Sequence, residues 1–214
     1  ESILIEGNPT EDILTTANKG GYSLIVTGSH GKNLLEELLL GSVSEALTRE
    51  AKVPVLTIRY DLLKEWEKQG TLEAKSSGLF SKVLFTTDFS AASEKAYKLV
   101  KDLHFFGCRQ VMLLHVIDPK KMETESQKEE LKEQCSLNCD EMKHELRKYK
   151  YKVENYCLEG DPITEITELA AKKQASLIVM GSHGKSVIKE WLIGSISLGV
   201  VRTAAKPVLV VHRQ

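Results

Sequence analysis

The chain repeats itself. With an offset of 153, residues 6–59 align with 159–212 without a gap, and just under half of the paired positions are identical. Glu6-Gly7-x-Pro9 returns as Glu159-Gly160-x-Pro162, and Ser23-Leu-Ile-Val26 as Ser176-Leu-Ile-Val179. Gly28-Ser-His-Gly-Lys32 returns as Gly181-Ser-His-Gly-Lys185, Gly41-Ser42 as Gly194-Ser195, and Pro54-Val-Leu56 as Pro207-Val-Leu209. So long a period fits a duplicated domain rather than a solenoid. The copies are unequal, because about 80 residues, Leu79 to Leu158, precede the second repeat and have no counterpart before Glu6. Residues 1–60 are therefore expected to be the C-terminal half of a first domain, and 79–214 a complete second one. Between them, 61–78 is polar, ends Lys75-Ser-Ser-Gly78, and is expected to be a linker that begins with a helical turn. Ser2 to Gly7 reads as a short apolar strand.

The complete copy alternates strand and helix signals. Val83-Leu-Phe-Thr-Thr87 is a β-branched and aromatic run, followed by helix-capping chemistry in Asp88-Phe-Ser-Ala-Ala-Ser93. Ala96, Leu99, Val100 and Leu103 then fall at helical spacing, before a second strand over 111–117. The charged segment 121–149 carries Leu131, Cys135, Cys139, Met142, Leu146 and Tyr149 on one apolar stripe, which predicts a long amphipathic helix. A strand over 151–157, a helix after Pro162, a strand over 177–180, a helix over 195–203 and a strand over 208–211 complete the order. Continuous apolar strands separated by helices predict a five-stranded parallel sheet covered on both faces. Ligands of such sheets bind beyond the carboxyl ends of the strands, where the topology switches direction. Residues 181–184 follow a strand directly.

Composition narrows the function. The chain is 42% hydrophobic and 28% charged, which supports a packed core and excludes general disorder. Its 29 basic and 30 acidic residues leave a net charge of −1, against a binder driven by nucleic-acid phosphates. No apolar run reaches the 18 residues of a membrane helix and no signal-peptide pattern opens the sequence, so a cytoplasmic protein without a membrane partner is expected. Four cysteines are too few for a disulfide framework. Cys135 and Cys139 are read as small buried hydrophobes rather than metal ligands or a redox pair, with His144 off their face. The charge-rich 121–150 segment is read as a solvated helix face, with a partner surface as the alternative.

The pattern Gly181-x2-Gly184-x9-Gly194-Ser195 carries the chemistry. Glycines let phosphate oxygens approach main-chain N–H groups without a Cβ in the way. A helix that starts at Gly194-Ser195 offers free N–H groups and the positive end of its dipole to an anion. The Ser195 hydroxyl is available either as a cap or as a phosphate ligand. A Walker A loop needs four residues between Gly and Gly-Lys where this chain has two, and no Rossmann G-x-G-x-x-G follows either first strand. Recurrence in both copies, with the same spacer and the same serine, raises the functional reading above a simple turn.

Together the Gly-x2-Gly-x9-Gly-Ser spacing, the Glu-Gly-x-Pro strand end and the Pro-Val-Leu-Val final strand resemble the universal stress protein family, in its tandem, ATP-binding form. The resemblance covers residues 80–213 fully and 1–59 as a half. It implies an adenine nucleotide α-hydrolase-like α/β sandwich that holds ATP or AMP, with Mg²⁺ left open, and serves as a regulator under stress. Residue by residue, it implies Asp88 near the adenosine with Thr87 beside it, and the Val116 backbone against adenine. Met180, Gly181, Ser182, His183, Gly184, Gly194, Ser195 and Ile196 match ribose and phosphate contacts. The first copy offers a weaker half-site: Thr27, Gly28, Ser29, His30, Gly31, Gly41, Ser42 and Val43. Antiparallel pairing of the last strands, 208–211 with 55–58, and a homo-oligomer are also implied.

Blander roles stand beside these. The blander reading of Asp88 is a helix cap and of His183 loop packing, while Lys185 is read first as a solvent-exposed loop charge. Ser182 and His183 are adjacent, are not expected to face each other as nucleophile and base, and have no evident third group. With no clear general base and no carboxylate pair for Mg²⁺, hydrolysis or nucleotidyl transfer is expected to be slow or absent. A slow enzyme of the same α/β group and a scaffold that binds no nucleotide are the alternatives to a nucleotide-dependent regulator.

Overall fold

The computed structural model describes residues 2–29, 40–68, 78–122, 124–183 and 193–212. The second copy contributes β3 (Lys82–Thr86), α4 (Ala91–Asp102), β4 (Gln110–Ile117), α5 (Glu125–Arg147), β5 (Lys152–Glu159), α6 (Pro162–Lys172), β6 (Leu177–Gly181), α7 (Ser195–Thr203) and β7 (Val208–Val211). The first contributes α1 (Pro9–Lys19), β1 (Ile25–Gly28), α2 (Ser42–Glu50) and β2 (Val55–Ile58), and α3 (Tyr60–Lys68) follows. One seven-stranded sheet runs β1-β2-β7-β6-β3-β4-β5. The five strands of the second copy are mutually parallel, as expected.

Strand alternation sorts the core into two layers. Val83, Phe85, Val111, Leu113, Leu177, Val179, Leu209 and Val211 face one side, with Tyr97 and Val100 of α4 and Met142 and Leu146 of α5. Leu84, Met112, Leu114, Ile178, Met180, Val208 and Val210 face the other, with Ile166 and Leu169 of α6 and Leu198 and Val201 of α7. Both faces are therefore closed by helices, and the strand ends remain as the place for a ligand.

The two copies meet in an antiparallel pairing of their last strands, with the register Val55↔Val210, Leu56↔Leu209 and Thr57↔Val208. Leu56 lies opposite its own repeat mate, so a local two-fold axis passes through this pair, as in a self-complementary dimer interface. The helices reproduce the relation. Glu45 of α2 holds Arg49 at 3.0 Å and Arg202, the repeat mate of Arg49, at 2.7 Å. Across the joint, Nε2 of His212 donates to the Thr48 carbonyl at 2.8 Å.

Three expectations change. Residues 2–6 form no strand, and Ile3, Leu4 and Ile5 are exposed. Their repeat mates end β5, which is held by pairing with β4, and no described strand lies beside residues 2–6 to do the same. The helical turn expected at 61 is the nine-residue helix α3, whose Leu63 packs on the core. The long helix begins at Glu125 rather than Lys121, because Thr124 and Gln127 form a capping box that fixes its start. Its stripe is correspondingly shorter: Cys135, Cys139, Met142 and Leu146 are buried, whereas Leu131 and Tyr149 are exposed.

Candidate functional site

In the second copy the chain runs β3, β4, β5 in one direction and then returns to place β6 and β7 on the other side of β3. The crevice at the carboxyl ends of β3 and β6 is thus the switch point. Its floor is tied together by short polar side chains. The Thr87 hydroxyl donates to Ser93 Oγ at 3.1 Å and accepts from the Phe89 amide at 2.9 Å. Oδ1 of Asp88 accepts the Ser90 amide at 3.1 Å, and Ser90 Oγ in turn caps α4 by accepting from Ser93 N. Ser90, not Asp88, is therefore the helix cap, and the half-buried Asp88 turns the chain at the crevice mouth. Phe89 takes a left-handed φ of 58°, a conformation that costs a non-glycine residue about 1–3 kcal/mol. Its ring lies 4.9 Å from that of His115, whose Nδ1 is 2.8 Å from the Thr87 carbonyl oxygen.

Val116 sits where β4 outruns β3. The last paired residues are Thr86 and Leu114, and Thr87 N donates to the Leu114 carbonyl at 2.9 Å. On the other edge of β4, Ile117 accepts from Gly160 N at 3.1 Å. Backbone groups of successive residues point to opposite edges of a strand. The N–H and C=O of Val116 are therefore directed toward the side where β3 has ended.

Gly181 closes β6 against the first turn of α4. A Cβ at this position would lie 2.8 Å from both Ala92 C and Ser93 N, so only glycine allows this approach. The next residues bend back: Ser182 N donates to Val211 O, and Gly194 N donates to Ser182 O at 2.7 Å. Ser90 Oγ reaches the His183 carbonyl at 3.4 Å and bridges the two walls. Ser182 and His183 are both buried, and Ser182 Oγ lies 2.8 Å from Nδ1 of His183. This corrects the expectation that neighbours in sequence would not face each other: the bend after β6 folds both side chains inward, into a buried pair.

Helix α7 starts at the crevice. Gly194 is its N-cap and gives no side-chain hydrogen bond; neither does Gly41 at the start of α2. By contrast α1, α4, α5 and α6 are capped by Asn8, Ser90, Thr124 and Asp161. The Ser195 side chain is exposed and does not cap, while Ser197 Oγ donates to the Gly181 carbonyl at 2.8 Å and fixes α7 to the end of β6. Met180 is buried in the core and Ile196 packs against it.

The first copy repeats this frame bond by bond. Ser29 N donates to Ile58 O, Gly41 N to Ser29 O at 2.7 Å, and Ser44 Oγ to Gly28 O at 2.6 Å. Thr27 Oγ1 lies 3.2 Å from Ser44 Oγ, Val43 packs on a small core, and Ser42 is exposed at the start of α2. β1 is the edge of the described sheet, so no described strands continue the sheet beyond it as β3 and β4 do beyond β6. His30, Gly31, Gly184 and Lys185 lie outside the described residues.

A family model described as the universal stress protein family matches residues 1–59 and 79–212. The chain belongs to that family. Universal stress protein MJ0577 of Methanocaldococcus jannaschii is 34% identical over 159 residues, covering 64% of this chain and 98% of the relative. Universal stress protein MJ0531 of the same organism is 31% identical and covers 74% of this chain. The solved structure of MJ0577 superimposes with a TM-score of 0.58 at 36% identity, over 64% of this chain and 98% of that one. A universal stress protein from Archaeoglobus fulgidus DSM 4304 covers 97% of this chain and 66% of its own, with a TM-score of 0.67 at 25% identity. The doubly covered sheet is the universal stress protein fold, adenine nucleotide α-hydrolase-like.

The crevice also brings together Phe89, Ser90, Ser93, His115 and Ser197, which were not among the site residues expected from the sequence. Ser90 and Ser93 were visible as capping chemistry. Phe89 and His115 carried no local signal, since their contact joins the ends of two strands.

Proposed function

We propose that the crevice of the second copy binds an adenine nucleotide, ATP or AMP, and that the chain acts as a nucleotide-dependent regulator in stress responses. The observation that carries this reading is the choice of uncapped helices. Four helices spend a side chain on their first amides, while the two that open at the repeated Gly-Ser do not. A helix start left without a side-chain acceptor, beside a glycine-closed strand end, suits a phosphate. The amide and carbonyl of Val116 offer the hydrogen-bond pair that an adenine edge requires, and Asp88 stands at the mouth beside them as a ribose acceptor. Ser195, exposed and not capping, is free in this reading to meet a phosphate oxygen.

Catalysis is not needed to explain these features. The Ser182–His183 pair is buried, with Ser182 only 1% exposed, which suits a positioning role better than attack on a substrate. Mass spectrometry of the small molecules released when the purified chain is denatured tests the reading. An adenine nucleotide near one equivalent supports it. A chain that releases none, and that then takes up neither ATP nor AMP, refutes it.

A further inference from the structure

Three of the four cysteines gather at one place, away from the crevice. Cys135 and Cys139 stand one turn apart on α5, are 1% and 2% exposed, and bring their sulfurs to 4.0 Å. The third is Cys157 on the edge strand β5. In that strand Val153, Asn155 and Cys157 share the face that packs under α5, and Val153 belongs to the core layer of Met142 and Leu146. Two contacts fix how the helix lies on the strand. Asn155 Nδ2 donates to Asp140 Oδ1 at 2.9 Å, and Lys128 and Lys132 hold Glu159 at 2.6 and 3.2 Å. Cys157 lies midway between Asn155 and Glu159, and so beneath the turn of α5 between Lys132 and Asp140, where Cys135 and Cys139 project. The Cys135 thiol is pushed up, first by the Cys139 thiol, then by burial and by the Cys157 thiol. Cys157 differs from them in being exposed to solvent.

We propose that Cys157 and Cys135 form a reversible, peroxide-driven disulfide that ties α5 to the edge strand β5. The exposed Cys157 thiolate attacks one oxygen of a hydroperoxide, the O–O bond breaks, and the sulfur becomes a sulfenic acid while water or an alcohol leaves. The Cys135 sulfur then attacks the sulfenic sulfur, the S–O bond breaks, and the hydroxide leaves as water with the Cys135 proton. Two thiols are oxidised by one peroxide, which is reduced by two electrons. Cys135 and Cys139 share a hydrogen bond at 4.0 Å that either sulfur can donate. Cys108 is an internal control: it is 1% exposed, burial pushes its thiol up to about 11, and the thiol donates a hydrogen bond to the Gln110 carbonyl at 3.6 Å.

The test is to expose the full chain to hydrogen peroxide, digest it without reduction, and map the cross-linked peptides by mass spectrometry. The expected result is one intramolecular Cys135–Cys157 link, two hydrogens lighter than the reduced pair and reversed by dithiothreitol. The free-thiol count should fall from four to two. Cys157→Ser should slow thiol loss at least about tenfold, as removal of the accessible thiol requires. Cys135→Ala, with circular dichroism to confirm its fold, should leave a Cys157 sulfenic acid that dimedone traps. Four titratable thiols after treatment would overturn the proposal. So would a Cys135–Cys139 link, a link between two chains, or over-oxidation of Cys157 without any disulfide.

Discussion

Gly181→Ala is the substitution whose effect the geometry fixes most closely. The new methyl would stand 2.8 Å from Ala92 C and Ser93 N and 3.0 Å from Ala92 Cβ. Carbon contacts settle at about 3.5–4.0 Å, so β6 and the first turn of α4 must part by something under an ångström. Two of the three atoms are backbone, and that turn is held by the Thr87–Ser93 and Ser90–Ser93 bonds, so no rotamer change relieves the clash. Overpacking of this kind costs about 1–3 kcal/mol, of which the stiffer unfolded chain returns roughly 0.4–1 kcal/mol. A net loss of about 1–2 kcal/mol should lower Tm by roughly 2–8 °C in a chain of this size. Gly199→Ala is the control. Its methyl would meet Ile163 Cδ1 at 2.3 Å, closer still, but that atom ends a flexible side chain. A rotamer shift of about 0.5–1.5 kcal/mol is there offset by about 1 kcal/mol of helix propensity, leaving stability nearly unchanged. Urea unfolding followed by circular dichroism on both variants decides the matter. If Gly181→Ala is as stable as the parent, or Gly199→Ala is the worse of the two, the close approach is not what the glycine serves.

Three further outcomes concern the joint between the copies. Burial holds the His212 pKa below its ordinary 6.5, so as pH falls through that value the unfolded chain takes up the proton first. Stability should therefore be full above about pH 6.5 and decline below it until the folded-state value is reached, and His212→Gln should flatten that slope in urea titrations across mildly acid pH. An identical slope in the variant would remove His212 as the cause. The bond to Arg202, more than that to Arg49, holds the Glu45 carboxyl below its usual range. Its contribution is present above the unfolded-state pKa and lost as pH falls through the lower folded value; because Arg202 is half exposed, Glu45→Gln should cost under about 1 kcal/mol and nothing at high salt. A loss of several kcal/mol that persists in salt would show that the bridge is not a surface pair in effect. Leu209→Lys places an unpaired ammonium on the two-fold axis opposite Leu56, where both leucines are buried, and should cost about 3 kcal/mol or more and speed proteolysis within residues 60–78. An unchanged digestion pattern would count against the joint.

The strands were legible because their signals are local: β3, β4, β6 and β7 are continuous apolar runs, and the repeat supplied a second reading of the last two. The joint was legible in kind but not in register. That Leu56 meets Leu209 follows from two-fold geometry, which no single strand encodes. Ser2 to Gly7 misled because a strand is a statement about a neighbour as much as about residues; Ile3 and Ile5 are β-branched, yet no described strand adjoins them. Within the candidate site, Gly181 was expected as a phosphate-approach glycine, whereas its close packing on Ala92 joins residues far apart in sequence and was not foreseen. Ser195 was left open between two roles, and the absence of a side-chain cap on α7 decides against the capping one. The Ser182–His183 bond escaped notice because it depends on a bend after β6 that sequence spacing does not report.

Isothermal titration of ATP into the 214-residue chain, its mass confirmed beforehand, addresses the central claim. The second copy has both walls, Asp88 and Val116 on one side and Gly181 with the start of α7 on the other. Among the described residues the first has only the glycine frame. Losing about 150 Å² of buried base surface at roughly 25 cal/mol per Å² forfeits nearly 4 kcal/mol, enough to weaken a site of about 1 µM to about the millimolar range. One tight equivalent of ATP per chain is the expected result. No binding heat, or two equivalent tight sites in the same chain, would contradict it.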